Sequence, residues 1–135
     1  MSNAKYAEIL EQSSVPKKVW KTALYLRLSH DDGTESESNS IASQREILKE
    51  YIKRYPDMEI YDIYVDDGYS GTNFDRPDFN RMMDDIYAHK VNCVLVKDLS
   101  RFSRNHTEGG IYLDKIFVKL GVRFIAINNQ IDIGI

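Results

Sequence analysis

Cysteine is almost missing from this chain: Cys93 stands alone among 135 residues. That excludes an internal disulfide and every metal or redox centre built on cysteine pairs, and it fits a reducing compartment. Long apolar runs are missing as well. None approaches the roughly 20 residues of a membrane-crossing helix, and the N-terminus lacks the basic-then-apolar pattern of a secretory leader. These absences point to a cytoplasmic protein with no membrane partner. Compositional extremes are missing too: 42% hydrophobic and 29% charged residues lie near the soluble average and exclude disordered, collagen-like and coiled-coil classes. The length suits one domain with one buried core.

A basic excess is also lacking. The net charge is −3, whereas an autonomous nucleic-acid binder usually carries a clear positive balance. The average conceals a segregation. Residues 57–85 hold nine acids against Arg76 and Arg81, a local −7, and the remainder, sixteen basic against twelve acidic, stands at +4. One basic face on an acidic protein is therefore open, as is a merely solvated charged surface.

What is present is an alternation of periods. Residues 1–18 read as an N-terminal arm with a short helix over Lys5–Gln12, and 19–135 as the domain. In Val19–Leu28, Leu24, Leu26 and Leu28 alternate with Tyr25, Arg27 and Ser29, a strand whose leucine face is core. His30–Asn39 is a polar loop. Asn39 or Ser40 caps a helix running to about Tyr55, stopped by Pro56. Met58–Val65 is a second strand, and Asp66–Pro77 a long loop. Asp78 caps a helix carrying Phe79, Met82, Met83, Ile86 and Tyr87. Cys93–Val96 is a buried central strand. Thr107 and Glu108 begin a helix to about Leu120, ended by Gly121, and Val122–Ile127 is the fourth strand. The pattern predicts an α/β fold with a mainly parallel sheet of four or five strands and helices on both faces. Tyr51, Tyr55 and Tyr87 fall on helix stripes and read as core.

Ligand sites in such sheets lie at the carboxyl ends of the strands, which selects Ser29–Asp32, Asp66–Arg76, Lys97–Arg104 and Asn128–Asp132. This surface holds one strand-end hydroxyl, Ser29, preceded by Arg27 on the same strand face, with Arg76, Arg101 and Arg104 on later loops. Guanidinium groups grip phosphate oxygens bidentately and offset charge on a phosphoryl transition state, and a serine in their field can act as nucleophile. Spacing alone leaves open that Ser29 merely ends a strand and that each arginine sits in a surface ion pair. His30 reads as a surface histidine, and His89 and His106 lack metal-ligand spacing.

Three blocks in order alter that balance: Tyr25-Leu-Arg27-Leu-Ser29 followed by Ser40-Ile-Ala-Ser-Gln44-Arg45; Asp67-Gly-Tyr-Ser70-Gly71 with Arg76-Pro77; and Val96-Lys-Asp-Leu-Ser100-Arg101-Phe-Ser-Arg104-Asn105. Together with Gly121-Val-Arg-Phe-Ile-Ala-Ile, they resemble the catalytic domain of serine recombinases, the resolvase and invertase family, over Lys21 to Asp132. The long interval between Ser29 and Gln44 is similar to the large serine recombinases and transposon-encoded members. The resemblance implies that Ser29 attacks a DNA phosphate to form a 5′-phosphoserine, releasing a 3′-hydroxyl. Arg27, Arg76, Arg101 and Arg104 would bind that phosphate, with Tyr25, Gln44, Asp67, Ser70 and Ser100 in support. It implies no metal and no cofactor. The partners implied are double-stranded DNA and further copies, a dimer on each site and a synaptic tetramer, with no small-molecule substrate. Ser100 stands where resolvases carry aspartate, which puts a fixed carboxylate there in doubt, with Asp98 close by. The chain stops at Ile135, before the family's long helix and DNA-binding region, so the expectation is an isolated catalytic domain. Two rivals remain: a receiver-type phospho-acceptor using Asp31, Asp32 and Asp98, which would lack its usual lysine because Asn128-Asn129-Gln130 follows the last strand, and a non-catalytic interaction domain on the same fold.

Overall fold

The computed structural model describes residues 18–30 and 39–135. Five strands form one sheet: β1 (Trp20–Leu28), β2 (Met58–Asp67), β3 (Cys93–Val96), β4 (Arg123–Ala126) and β5 (Ile131–Ile133), in the order β2-β1-β3-β4-β5. The first four are parallel, and β5 returns antiparallel along β4, pairing Phe124 with Ile133. The expected mixed α/β sheet is present, and its fifth strand is the short antiparallel edge.

Alternation along β1 sorts its side chains into two layers. Trp20, Leu24 and Leu26 pack with Met58, Cys93, Leu95 and Ile125 under Leu48 and Ile52 of helix α1 (Ile41–Lys53). Ala23 and Tyr25 pack on the other side with Phe79, Met82, Met83 and Ile86 of α2 (Pro77–Tyr87) and with Phe102, Phe117 and Phe124. Both faces of the strand are therefore covered, so the face carrying Tyr25 and Arg27 is as buried as the leucine face.

The helix ends follow local chemistry. The Ser40 hydroxyl accepts from Ser43 N at 3.1 Å and starts α1. Pro77 occupies the first position of α2, where its missing N–H is no loss. Asp78 is thus inside the helix, and its carboxylate accepts from Val65 N of β2 at 2.8 Å instead of capping. Several acids of the negative segment serve in this way: Asp62 and Asp78 pair with Arg81, and Asp85 accepts from the Tyr64 hydroxyl.

Beyond β3 the chain departs from expectation. Asp98 caps a short helix, α3 (Leu99–Phe102), within the span expected as loop. The following helix starts one residue early, at His106, because the Asn105 side chain accepts from both Thr107 N and Glu108 N at 3.1 Å. It is also interrupted: α4 (His106–Ile111) passes through a π turn over Tyr112–Ile116 into α5 (Phe117–Leu120). Gly121 closes it in the left-handed conformation, as expected. Tyr51 is half-buried, but Tyr55 and Tyr87 are exposed and not core, since Tyr55 lies beyond the end of α1 and Tyr87 is the last residue of α2. The Lys5–Gln12 helix lies outside the described residues, and among those described no helix is long and apolar enough to cross a membrane.

Candidate active site

Strand β1 ends at Leu28, whose carbonyl accepts from Gly68 N at 2.7 Å. That bond ties the end of β1 to the beginning of the β2–α2 loop. Half-buried Ser29 follows directly. Arg27, two residues earlier, is wholly buried. Its guanidinium donates from Nε to the Arg101 carbonyl at 3.0 Å, from Nη1 to Tyr69 O at 3.0 Å and from Nη2 to Ser100 O at 2.5 Å. Two loops distant in sequence are thus fastened to one side chain. Gly71 makes the approach possible, since a Cβ there would fall 2.6 Å from Arg27 Nη2. The Gly71 carbonyl accepts from Arg104 N at 2.7 Å, so the same loop also meets the chain beyond α3.

The backbone of Arg27 is held from the opposite direction. Gln44, buried on α1, accepts from Arg27 N at 3.2 Å and donates to Arg27 O at 3.0 Å and Asn39 O at 2.8 Å. Lys97, at the end of β3, reaches the same corner by donating from Nζ to Asn39 Oδ1 at 2.6 Å. Lys97 is nearly buried and was not singled out from the sequence, although its place directly after the apolar β3 was a signal.

Arg101 is 3% exposed. Nη1 donates to Arg27 O at 3.0 Å and Nη2 to Ser100 Oγ at 3.2 Å, while Nε lies 3.5 Å from Asp98 Oδ1. Asp98 also accepts from Arg101 N and from the Ser100 hydroxyl. The carboxylate beside this arginine is therefore supplied by Asp98, with Ser100 as an intermediary. Ser103, extended after α3, puts Arg104 outside the helix, so Arg101 and Arg104 do not share a helix face.

Arg76 is also fully buried. Nε donates to Asn73 O at 2.8 Å and Nη1 to the Tyr25 hydroxyl at 3.2 Å. Tyr25 in turn donates to Asp66 Oδ2 at 2.7 Å. Both Asp66 and Asp67 belong to the end of β2 rather than to the loop expected to start at Asp66. The buried carboxylate is Asp66, whereas Asp67, the residue expected to support the site, is exposed. Alternation along β2 explains the difference, because adjacent residues face opposite sides. Ser70 Oγ stays within its own turn, sharing a hydrogen bond with Thr72 Oγ1 at 2.8 Å and accepting from Thr72 N at 3.1 Å.

The structure thus gathers Arg27, Gln44, Ser100 and Arg101 into one linked network around the end of β1, joined by Arg104 through its backbone bond to Gly71. Tyr25, Arg76 and Asp66 form a second linked set, and Asp67 and Ser70 enter neither. Three of the four candidate arginines are interior rather than surface groups, which sequence spacing did not show. Arg104 is half-buried. His30, His89 and His106 are exposed. Among the described residues no three His, Cys, Asp or Glu side chains are grouped to hold a metal ion. Asp31 and Asp32 lie outside the described residues.

The family model for the resolvase N-terminal domain matches residues 22–134. Solved structures similar to the chain include the N-terminal catalytic domain of TP901-1 integrase, at 32% identity and TM-score 0.74 over 83% of this chain and 81% of that one. A resolvase family site-specific recombinase from Streptococcus pneumoniae is 35% identical, with TM-score 0.64, over 84% and 75% of the two chains. A serine recombinase from Sulfolobus solfataricus is 26% identical, with TM-score 0.62, over 81% and 69%. No curated protein sequence matches.

Proposed function

This chain belongs to the resolvase family of serine recombinases, as a catalytic domain, and on that premise we propose that Ser29 is the nucleophile of DNA strand cleavage. Ser29 Oγ attacks a phosphodiester phosphorus and gives up its proton. The bond from phosphorus to the 3′ oxygen breaks, and that oxygen leaves as a 3′-hydroxyl after taking up a proton. The 5′ phosphate remains esterified to Ser29. A 3′-hydroxyl from an exchanged strand then attacks the same phosphorus and releases the serine. The ester conserves the energy of the broken bond, so religation calls for neither a metal nor a nucleotide cofactor.

The observation that carries this reading is the convergence on Arg27. The residue two positions before Ser29 binds the β2–α2 loop and α3 through three carbonyls, so the elements bearing Arg76, Arg101 and Arg104 are assembled at the end of the strand that bears the serine. Guanidinium charges in water-poor surroundings act strongly on a phosphoryl transition state, because little solvent screens them. In this scheme Arg27, Arg76 and Arg101 form a fixed positive floor, and half-buried Arg104 makes the most accessible contact to the phosphate. The substrate is double-stranded DNA, and the active assembly is a dimer on each site joined into a synaptic tetramer. The receiver reading is set aside by the family match.

The test is covalent trapping. A nicked duplex that loses a short strand on cleavage should leave a DNA adduct on the recombinase carrying this domain, mapped to Ser29 by peptide mass, and Ser29→Ala should yield none while remaining folded. An adduct on another residue, or cleavage retained by Ser29→Ala, would overturn the proposal.

A further inference from the structure

The surroundings of Arg76 are lopsided. Its guanidinium stacks on Phe74 at 4.5 Å, with Phe79 at 5.4 Å and Tyr25 at 5.9 Å. Nε and Nη1 are engaged by Asn73 O and the Tyr25 hydroxyl. Nη2, equally buried, has no hydrogen-bond partner among the described residues. An unmet donor on a buried cation is strongly unfavourable and calls for an explanation, and a bound anion is one that the charge of this group favours.

Following the hydrogen bonds outward from Arg76 leads to one carboxylate. Asp66 is 1% exposed and uses both oxygens: Oδ1 accepts from Asp78 N at 2.9 Å, and Oδ2 accepts from Phe79 N at 2.9 Å and from the Tyr25 hydroxyl at 2.7 Å. The two backbone donors open α2, the helix that begins immediately after Arg76. Asp66 therefore fixes the backbone next to Arg76 and, through Tyr25, the guanidinium itself. The direction of this chain is set. Burial, opposed by Arg76 and reinforced by Asp66, pushes the Tyr25 phenol well above its ordinary range. Its proton stays on and points to Asp66, so the hydroxyl oxygen presents a lone pair to Nη1.

We infer that Asp66 is a positioning residue for phosphate recognition: by polarising Tyr25 it holds Arg76 by Nη1, leaving Nη2 to bind an anionic phosphate oxygen. The inference builds on the assignment of Arg76 to the phosphate-binding set proposed above. An amide in place of Asp66 has one acceptor where the carboxylate has two, so whichever way it turns its NH2 meets a donor, Asp78 N in one orientation and Phe79 N with Tyr25 in the other. The hold on Tyr25 and Arg76 is thereby loosened.

Phosphate binding can be read without any cleavage. In the chain labelled with 15N-arginine, the Nε–H resonance of Arg76, assigned by its absence in Arg76→Lys, is followed while inorganic phosphate is added. Wild type should show a saturable shift. Tyr25→Phe, which keeps the ring and drops only the hydroxyl, and Asp66→Asn should each weaken phosphate by about tenfold, and the double variant should be no weaker than Asp66→Asn. A wild type without a phosphate-dependent shift at Arg76, an unchanged affinity in Tyr25→Phe, or penalties that multiply in the double variant would each overturn the inference. A purely structural role would lower the unfolding midpoint of Tyr25→Phe and leave affinity intact. If Asp66→Asn fails to fold, Tyr25→Phe decides alone. Failure of serine–DNA trapping with this titration behaving as expected strikes only the cleavage proposal, and the converse strikes only Asp66.

Discussion

Replacing Gly71 by alanine adds one methyl group at the most crowded glycine contact of the site. Gly71 is not among the residues with positive φ, so its backbone accepts alanine and the effect is one of space alone. The new carbon would sit 2.6 Å from Arg27 Nη2, 2.9 Å from Arg27 Cζ and 3.0 Å from Arg104 Cγ, the first about 0.8 Å inside the 3.4 Å at which ordinary contact begins. The Arg104 stem can flex aside. Arg27 cannot, because its nitrogens are fixed on the carbonyls of Arg101, Tyr69 and Ser100. Overpacking of this kind is unfavourable by about 1–3 kcal/mol, and loss of one charge-assisted hydrogen bond by about 1.5–3 kcal/mol. The expected destabilisation is therefore about 3 kcal/mol, read as a lowered urea midpoint at constant m-value. Because the same push reaches the residue two before Ser29, adduct formation by the folded fraction should fall by about 100-fold. Gly68→Ala is the control. Gly68 has φ +92° and nothing within 4 Å of a Cβ, so alanine there meets only backbone strain of about 1–2 kcal/mol and should keep near-normal cleavage. The reasoning fails if Gly71→Ala unfolds within about 0.5 kcal/mol of wild type, or if Gly68→Ala is the more damaging of the pair.

Asp98→Ala should lower stability by about 2 kcal/mol or more in urea unfolding, since it removes both the α3 cap and the carboxylate beside nearly buried Arg101, while Asp98→Asn should recover much of the cap. Arg101→Lys retains charge but loses the fork that joins Arg27 O to Ser100 Oγ, and adduct formation should drop by about 2 kcal/mol of transition-state stabilisation in single-turnover assays; a wild-type rate would show the fork to be unimportant. Burial pushes the Cys93 thiol up to about 12 from an ordinary 9.0, so the unfolded chain releases this proton first. Stability should then be unaffected by Cys93 below pH 9 and fall between pH 9 and 12 by up to about 1.4 kcal/mol per pH unit. Cys93→Ala should show a flatter alkaline limb in pH-dependent unfolding, and an equal slope in both proteins would contradict this.

Periodicity was enough to find the four parallel strands and carboxyl-end logic to bring Ser29 and the arginines together as candidates, because these depend on local pattern, while the roles expected of them came from the resemblance of the sequence blocks. Two kinds of feature escaped. The first depends on which of two adjacent residues faces inward: Asp66 and Asp67 are chemically identical, and only the register of β2 against β1, Arg27 beside Asp66, decides between them. The second depends on long-range partners. A buried arginine is not legible from its neighbours in sequence when its acceptors are carbonyls 42 to 74 residues away. The π turn at Tyr112–Ile116 escaped for a related reason, since a helix-period pattern tolerates one extra residue. Ser100 in place of a carboxylate looked like a gap; Asp98, three residues before Arg101 and therefore close to it across the short helix, fills it.

The grip of Gln44 on Arg27 has the form of a strand pairing made by a side chain. On one side β1 pairs with β2 as far as Leu28, but β3 leaves its other side after Leu24, and the carboxamide offers Arg27 an acceptor and a donor where the next strand would have offered a peptide group. One rung of the ladder is thus borrowed from a helix. The end of β1 and the start of α1 are joined directly, so the geometry at Ser29 does not have to be transmitted along residues 30–39. Residues 31–38 can therefore change in length or composition while Asn39 keeps its contacts to Gln44 and Lys97 and the Ser29 hydroxyl keeps its address.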